Sequence, residues 1–142
     1  MSFDPRRAGL HPLHAILLSF PIAMFCATLV SDIAYLNTAE IQWSNLSQWA
    51  ITAALVFGAP VVVWAVVDRV RSRGRGSSWG QTPYLIMVVA MWVLGLINAF
   101  KHSQDAWSSV GTAGVLLSLA CAVLALAAGW VGHSRRNMGA NA

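Results

Sequence analysis

Long apolar stretches separated by short polar segments dominate the chain. The first runs from about Leu13 to Leu36, interrupted only by Asp32 near its far end, and the second from about Trp49 to Val67. The third runs from about Tyr84 to Phe100 and the fourth from about Val110 to Val131. Each approaches the roughly 20 residues that cross a hydrocarbon core. The runs are continuous and do not alternate with period two, which argues against strands. This pattern predicts an all-α membrane protein, a four-transmembrane-helix bundle over residues 13–133. A segment of residues 1–12 precedes it and a tail of residues 134–142 follows. The first run exceeds the core of a signal peptide and no cleavage pattern follows it, so it belongs with the mature bundle.

Small residues predict how the helices meet, because lipid gives apolar side chains no drive to associate and close backbone approach must hold the bundle. Ala15, Ser19, Ala23, Ala27 and Ser31 recur every fourth residue in the first span. Ala50, Ala54 and Gly58 do so in the second, and Cys121, Ala125 and Gly129 in the fourth. Stepping outward along two of these ridges reaches His11 and His133, which are expected to face inward. Pro12 suits a first helical turn, whereas Pro21 and Pro60 fall inside spans and predict kinks. Cys26 and Cys121 read as small packing residues, and Trp92 as a filler of a mid-span packing gap.

Composition agrees with the membrane reading. Of 142 residues 57% are hydrophobic and 10% charged, with mean hydropathy +0.61, which leaves a soluble fold too little polar surface. The same numbers exclude disorder. A net charge of +4 and a pI near 9.8 come from arginines clustered beside the apolar runs, so topology explains them and nucleic acid does not. Arg6 and Arg7 precede the first span, Arg69, Arg71, Arg73 and Arg75 lie between the second and third, and Arg135 and Arg136 follow the fourth. Lys101 is the only Lys or Arg in the other two loops. That asymmetry predicts the N-terminus, the middle loop and the C-terminus in the cytoplasm. Tyr35, Trp43, Trp49 and Trp107 are expected at the outer interface, and Trp64, Trp79, Tyr84 and Trp130 at the inner one. The Gly-, Ser- and Arg-rich segment from Arg71 to Gln81 is a candidate for contact with anionic headgroups.

Two groups of polar residues could carry chemistry. His11 and His14 share a helix face, and Asp68 and His133 fall at the same height on two other helices. One reading makes them ligands of a transition metal or axial ligands of haem b. The other makes them caps that bond one another or interfacial water. At the opposite end Asp32 lies level with Asn98, Lys101 and His102, and pairing of Asp32 with Lys101 or His102 is the first expectation. No catalytic residue is assigned, and no Walker loop, GxSxG, CxxC or HExxH occurs. No polar residue at mid-span joins the two ends, which counts against a proton or solute pathway through Asp32 and Asp68.

LHPLHAILLSFPIA from Leu10 to Ala23 and NAFKHSQDAWSSVG from Asn98 to Gly111, with Gly58 and Asp68 closing the second span, carry a resemblance. Together they resemble the bacterial membrane-protein family catalogued as domain of unknown function 2231. That resemblance implies a four-helix inner-membrane protein of unassigned activity, often accompanying membrane or periplasmic redox proteins such as quinone-dependent sugar dehydrogenases and c-type cytochromes. The chain departs from the common pattern where TPYL opens the third span without a His and GWVGHSRRN closes the fourth. Both departures remove potential ligands. The readings carried forward are an accessory or anchoring subunit of respiratory electron transfer with haem b or a metal at the His/Asp cluster, and a purely structural partner without cofactor. The partner would be a redox protein or a second copy of the chain.

Overall fold

The computed structural model describes residues 10–72, 81–103 and 110–138, with side chains as far as Ser134. Four helices account for nearly all of them: α1 (Pro12–Thr38), α2 (Ile41–Ser72), α3 (Gln81–His102) and α4 (Thr112–Met138). All four contain a stretch long and apolar enough to span a membrane. Only 28–39% of the most apolar 18-residue window of each helix is buried, so most of the Leu, Ile and Val side chains face outward, where only lipid accommodates them. Arg6, Arg7, Arg73, Arg75, Trp79, Asp105 and Trp107 lie outside the described residues, as does most of the Arg-rich segment.

The helices outrun the apolar stretches because polar residues extend and cap them. Pro12 occupies the first turn of α1, and the N-cap His11 accepts from the Leu13 N–H through Nδ1 at 3.3 Å. At its other end Ala39 adopts a left-handed conformation, φ 55°, and its N–H bonds Tyr35 O at 2.8 Å. Glu40 N bonds Thr38 Oγ1, and α2 starts at the next residue. A two-residue connection makes α1 and α2 antiparallel neighbours. Each helix packs on two others, α1 on α2 and α4, and α3 on α2 and α4. The order around the bundle is therefore α1, α2, α3, α4, with α1 and α3 running in the same direction on one diagonal.

The small-residue ridges of α2 and α4 are buried as expected: Ala50, Ala54 and Gly58 on one, Cys121, Ala125 and Gly129 on the other. The α1 ridge differs. Ser31 is buried, but Ser19 and Ala23 face outward. A strict four-residue step drifts by about 40° per turn on a helix of 3.6 residues per turn, so it slides off the inward face. That face follows alternating steps of four and three through His14, Leu18, Pro21, Phe25, Thr28 and Asp32. The same drift carries His11 and His133 outward, and both are exposed. Gly132 takes the inward position that His133 was expected to hold.

Large side chains fill the space left by glycines on the opposing helix. A Cβ at Gly95 would lie 2.6 Å from Phe25 Cζ, and one at Gly58 would lie 3.3 Å from Trp92 Cδ1. Trp92 also donates from its indole N–H to Leu55 O at 3.1 Å. That carbonyl lies in the turn before Pro60, whose missing N–H loosens the helix there. Trp92 thus fills a packing gap, as its mid-span position suggested. Gly95→Ala is expected to lower stability by about 1–3 kcal/mol through overpacking, read as a lower unfolding temperature in detergent. Phe25→Leu in the same chain should restore part of the loss, and an unchanged midpoint for Gly95→Ala would contradict this close approach.

Candidate functional site

The far end of the bundle, where α1 and α3 finish, buries a carboxylate completely. Asp32 is 0% exposed. Every other helix supplies it a partner: Ser47 of α2 donates to Oδ1 at 2.5 Å, Ser118 of α4 donates to Oδ2 at 2.5 Å, and His102 of α3 places Nε2 3.0 Å from Oδ1. Asn98, one turn before His102, donates from Nδ2 to Ser118 Oγ at 2.9 Å and so leaves the Ser118 proton for Asp32. Of the two expected partners of Asp32 the fold selects His102. Lys101, its chain neighbour, is half-buried, and the ion pair at Asp32 is made by His102.

Counting protons determines the charge of the pair. His102 Nδ1 lies 3.0 Å from Asn98 O, and a carbonyl only accepts, so Nδ1 carries a hydrogen. The Nε2 to Oδ1 contact needs one more proton, because two facing lone pairs would repel. On nitrogen that proton makes an ion pair, and on oxygen it makes a neutral acid beside a neutral imidazole. Both forms have zero net charge, which is what a low-dielectric interior tolerates. Asn98 Oδ1 is the one acceptor in this network that is buried without a partner.

The near end, where α1 and α3 start, has a smaller counterpart. His14 is 1% exposed, and its Nε2 lies 2.6 Å from the Tyr84 hydroxyl of α3. Trp64 of α2 packs edge-on against the His14 ring and at a tilt against the His11 ring, with centroids 5.3 Å apart in each case. Tyr84, expected as an interfacial anchor, is buried instead. His11, His14, Asp68 and His133 are not gathered into one ligand set. His11 and Asp68 are exposed, and His133 turns back to Gly129 O on its own helix at 2.7 Å. Among the described residues no three His, Cys, Asp or Glu side chains are arranged to hold a metal ion. Nor do the residues fit a bis-histidine haem, because Tyr84 faces His14 across the bundle where a second imidazole would be needed.

A common geometry underlies both ends. Tyr84 follows His14 by 70 residues, and His102 follows Asp32 by 70. The whole buried face repeats at that offset: Leu18 with Val88, Pro21 with Met91, Phe25 with Gly95, and Thr28 with Asn98. On the other diagonal Gly114, Ser118, Cys121, Ala125, Ala128 and Gly132 of α4 stand at one constant offset from Ser47, Ile51, Ala54, Gly58, Val61 and Ala65 of α2. The first helices of the two hairpins are thus related by an offset of 70 residues and the second helices by 67, so each diagonal keeps its own constant burial register. Residues at equivalent positions of α1 and α3 meet across the bundle axis. The two polar levels are eighteen residues apart, five helical turns or about 27 Å, close to a hydrocarbon thickness of about 30 Å. Leu18, Val88, Phe25 and Met91 occupy the levels between them, so no chain of polar side chains joins the ends among the described residues.

Sequence reasoning missed Ser47, Ser118 and the inward role of Tyr84. The 70-residue offset was the signal that could have found Tyr84. The serines become visible only once α2 and α4 are placed beside Asp32.

A family model described as predicted membrane protein (DUF2231) matches residues 10–137. No curated protein and no solved structure matches the chain.

Removing one member of this buried pair leaves the other without its counter-group, so Asp32→Leu and His102→Leu are each expected to cost up to about 3–5 kcal/mol. The double variant should recover a large part of the summed loss, because neither charge remains. Strictly additive losses in detergent unfolding would show that the two do not act as a pair. Tyr84→Phe, which removes a single bond between polar groups, should cost only about 1 kcal/mol in the same assay.

Proposed function

The chain belongs to the DUF2231 family of predicted membrane proteins, and from that premise we propose that it serves as an accessory or anchoring subunit for a respiratory electron-transfer protein. Its place is a bacterial inner membrane, with both termini on the cytoplasmic side. The outward face of α1 carries this reading. Ser19 and Ala23, four residues apart, are exposed on a surface that elsewhere presents Leu, Ile, Val and Phe to lipid. The internal packing of α1 uses a different face, so these small residues make no close approach within the bundle. On a lipid-facing helix, paired small residues let a second helix backbone come near.

The arginines before α1, between α2 and α3 and at the end of α4 support the orientation. The partner class follows from the family resemblance, whose members often accompany redox proteins. On this reading the redox centres belong to that partner, and the dispersal of His11, Asp68 and His133 is consistent with it. The polar levels at Asp32 and His14 then hold the bundle together and present its outer surface in a fixed arrangement.

Ala23→Leu tests the assignment directly. The variant should keep the unfolding temperature of the parent while losing a co-purifying membrane partner that carries the absorption spectrum of a redox cofactor. Retention of that partner, or a bundle that fails to assemble, would count against an outward-facing docking role. The chain purified alone should show no Soret band. A Soret band that disappears in His14→Ala would move the redox centre into this protein.

A further inference from the structure

The outward surface of the second half of α2 contains a furrow of about 390 Å³ lined by Pro60, Val63, Trp64, Val67, Asp68 and Arg71. These positions form one helical stripe at steps of three and four, roughly 16 Å long. All but its last turn is apolar. That turn carries one anion and one cation, Asp68 and Arg71, three residues apart on the same face and both exposed. Among the described residues neither makes a hydrogen bond or an ion pair. Trp64 forms a stable wall of the furrow because His11 and His14 both pack on its ring. An open apolar stripe as long as part of an acyl chain thus ends, at the level of the helix end, on two opposite charges that pair with none of the described residues.

We propose that this furrow binds one phospholipid with a primary-amine headgroup, a phosphatidylethanolamine, with an acyl chain along Pro60, Val63 and Val67. Arg71 holds the phosphate through its planar array of N–H donors. Asp68 accepts from the ammonium group, a charge-assisted bond that a quaternary choline, having no N–H, does not form. A headgroup with net negative charge and no amine satisfies Arg71 but meets Asp68 with like charge. The presence of both charges on one face, and not their order along the helix, therefore selects a zwitterion whose cationic end can donate hydrogen bonds. This site is separate from the outward face of α1 and does not depend on the proposed partner.

Native mass spectrometry of the detergent-purified protein, titrated with phosphatidylethanolamine, phosphatidylcholine and phosphatidylglycerol of identical chains, tests it. The ethanolamine lipid should be retained about fivefold better than the other two, the scale of one favourable charge contact at a membrane surface. Asp68→Asn should bring it down to the level of the choline lipid, whose own loss should be smaller because it forfeits only Coulombic attraction and no hydrogen bond. Arg71→Gln should weaken all three. Val63→Trp, which fills the furrow, should do the same with no change in unfolding temperature. Equal retention of the three lipids by the parent, or an ethanolamine preference that survives Asp68→Asn, overturns the proposal.

Discussion

A carboxylate inside an apolar bundle has to be neutralised, and much of this architecture meets that requirement at Asp32. An aspartate costs about 2.5–3.5 kcal/mol at the centre of a spanning helix on insertion scales, and less near its end, where Asp32 lies. Here the side chain is fully buried and meets His102 at 3.0 Å, with Ser47 and Ser118 at 2.5 Å on its two oxygens. These contacts come from three different helices, so none of the helices can slide or rotate without exposing the group. Leu and Val packing tolerates small shifts. A buried acid with three directional partners does not, and it therefore sets the register of the whole bundle.

The register imposed at Asp32 propagates down the diagonal. Five turns away the same faces of α1 and α3 bring His14 to Tyr84 at 2.6 Å, and between the two levels apolar side chains fill the axis. Phe25 fills the space above Gly95, and Trp92 that above Gly58. Both polar pairs lie near the boundaries of a hydrocarbon layer. Asp32, His102 and His14 are all buried there. The apolar middle supplies packing area, whereas the polar levels supply uniqueness of arrangement. The resulting object is a rigid four-helix unit whose distinguishing surface features, the small-residue face of α1 and the charged furrow of α2, both lie outside the core.

The number of spans and their approximate limits were legible in the sequence, because a bilayer demands long continuous apolar runs that few other folds tolerate. The ridges on α2 and α4 and the pairing of Asp32 with a residue near the end of α3 were legible for the same kind of reason: close approach requires small residues, and a buried acid requires a partner. The proposed gathering of His11, His14, Asp68 and His133 was not realised. Height along a helix can be counted from the sequence, but the direction a side chain takes around it accumulates an error of about 40° for every four-residue step. His133 and His11 are carried to the outside by that drift. Tyr84 was assigned to the interface because an aromatic near a helix start usually lies there, and its burial depends on the α1 histidine opposite it.

The sequence by itself determined that this chain is a membrane bundle of four helices, because hydropathy, length and the absence of strand periodicity are properties of each segment alone. It also determined that Asp32 must find a partner, since no isolated acid is stable in that position. Only the tertiary structure decided that the partner is His102 and not Lys101, that Ser47 and Ser118 complete the site, and that Tyr84 answers His14 at the other end. Those choices depend on the rotation of each helix about its own axis, a quantity set jointly by all four helices as they pack.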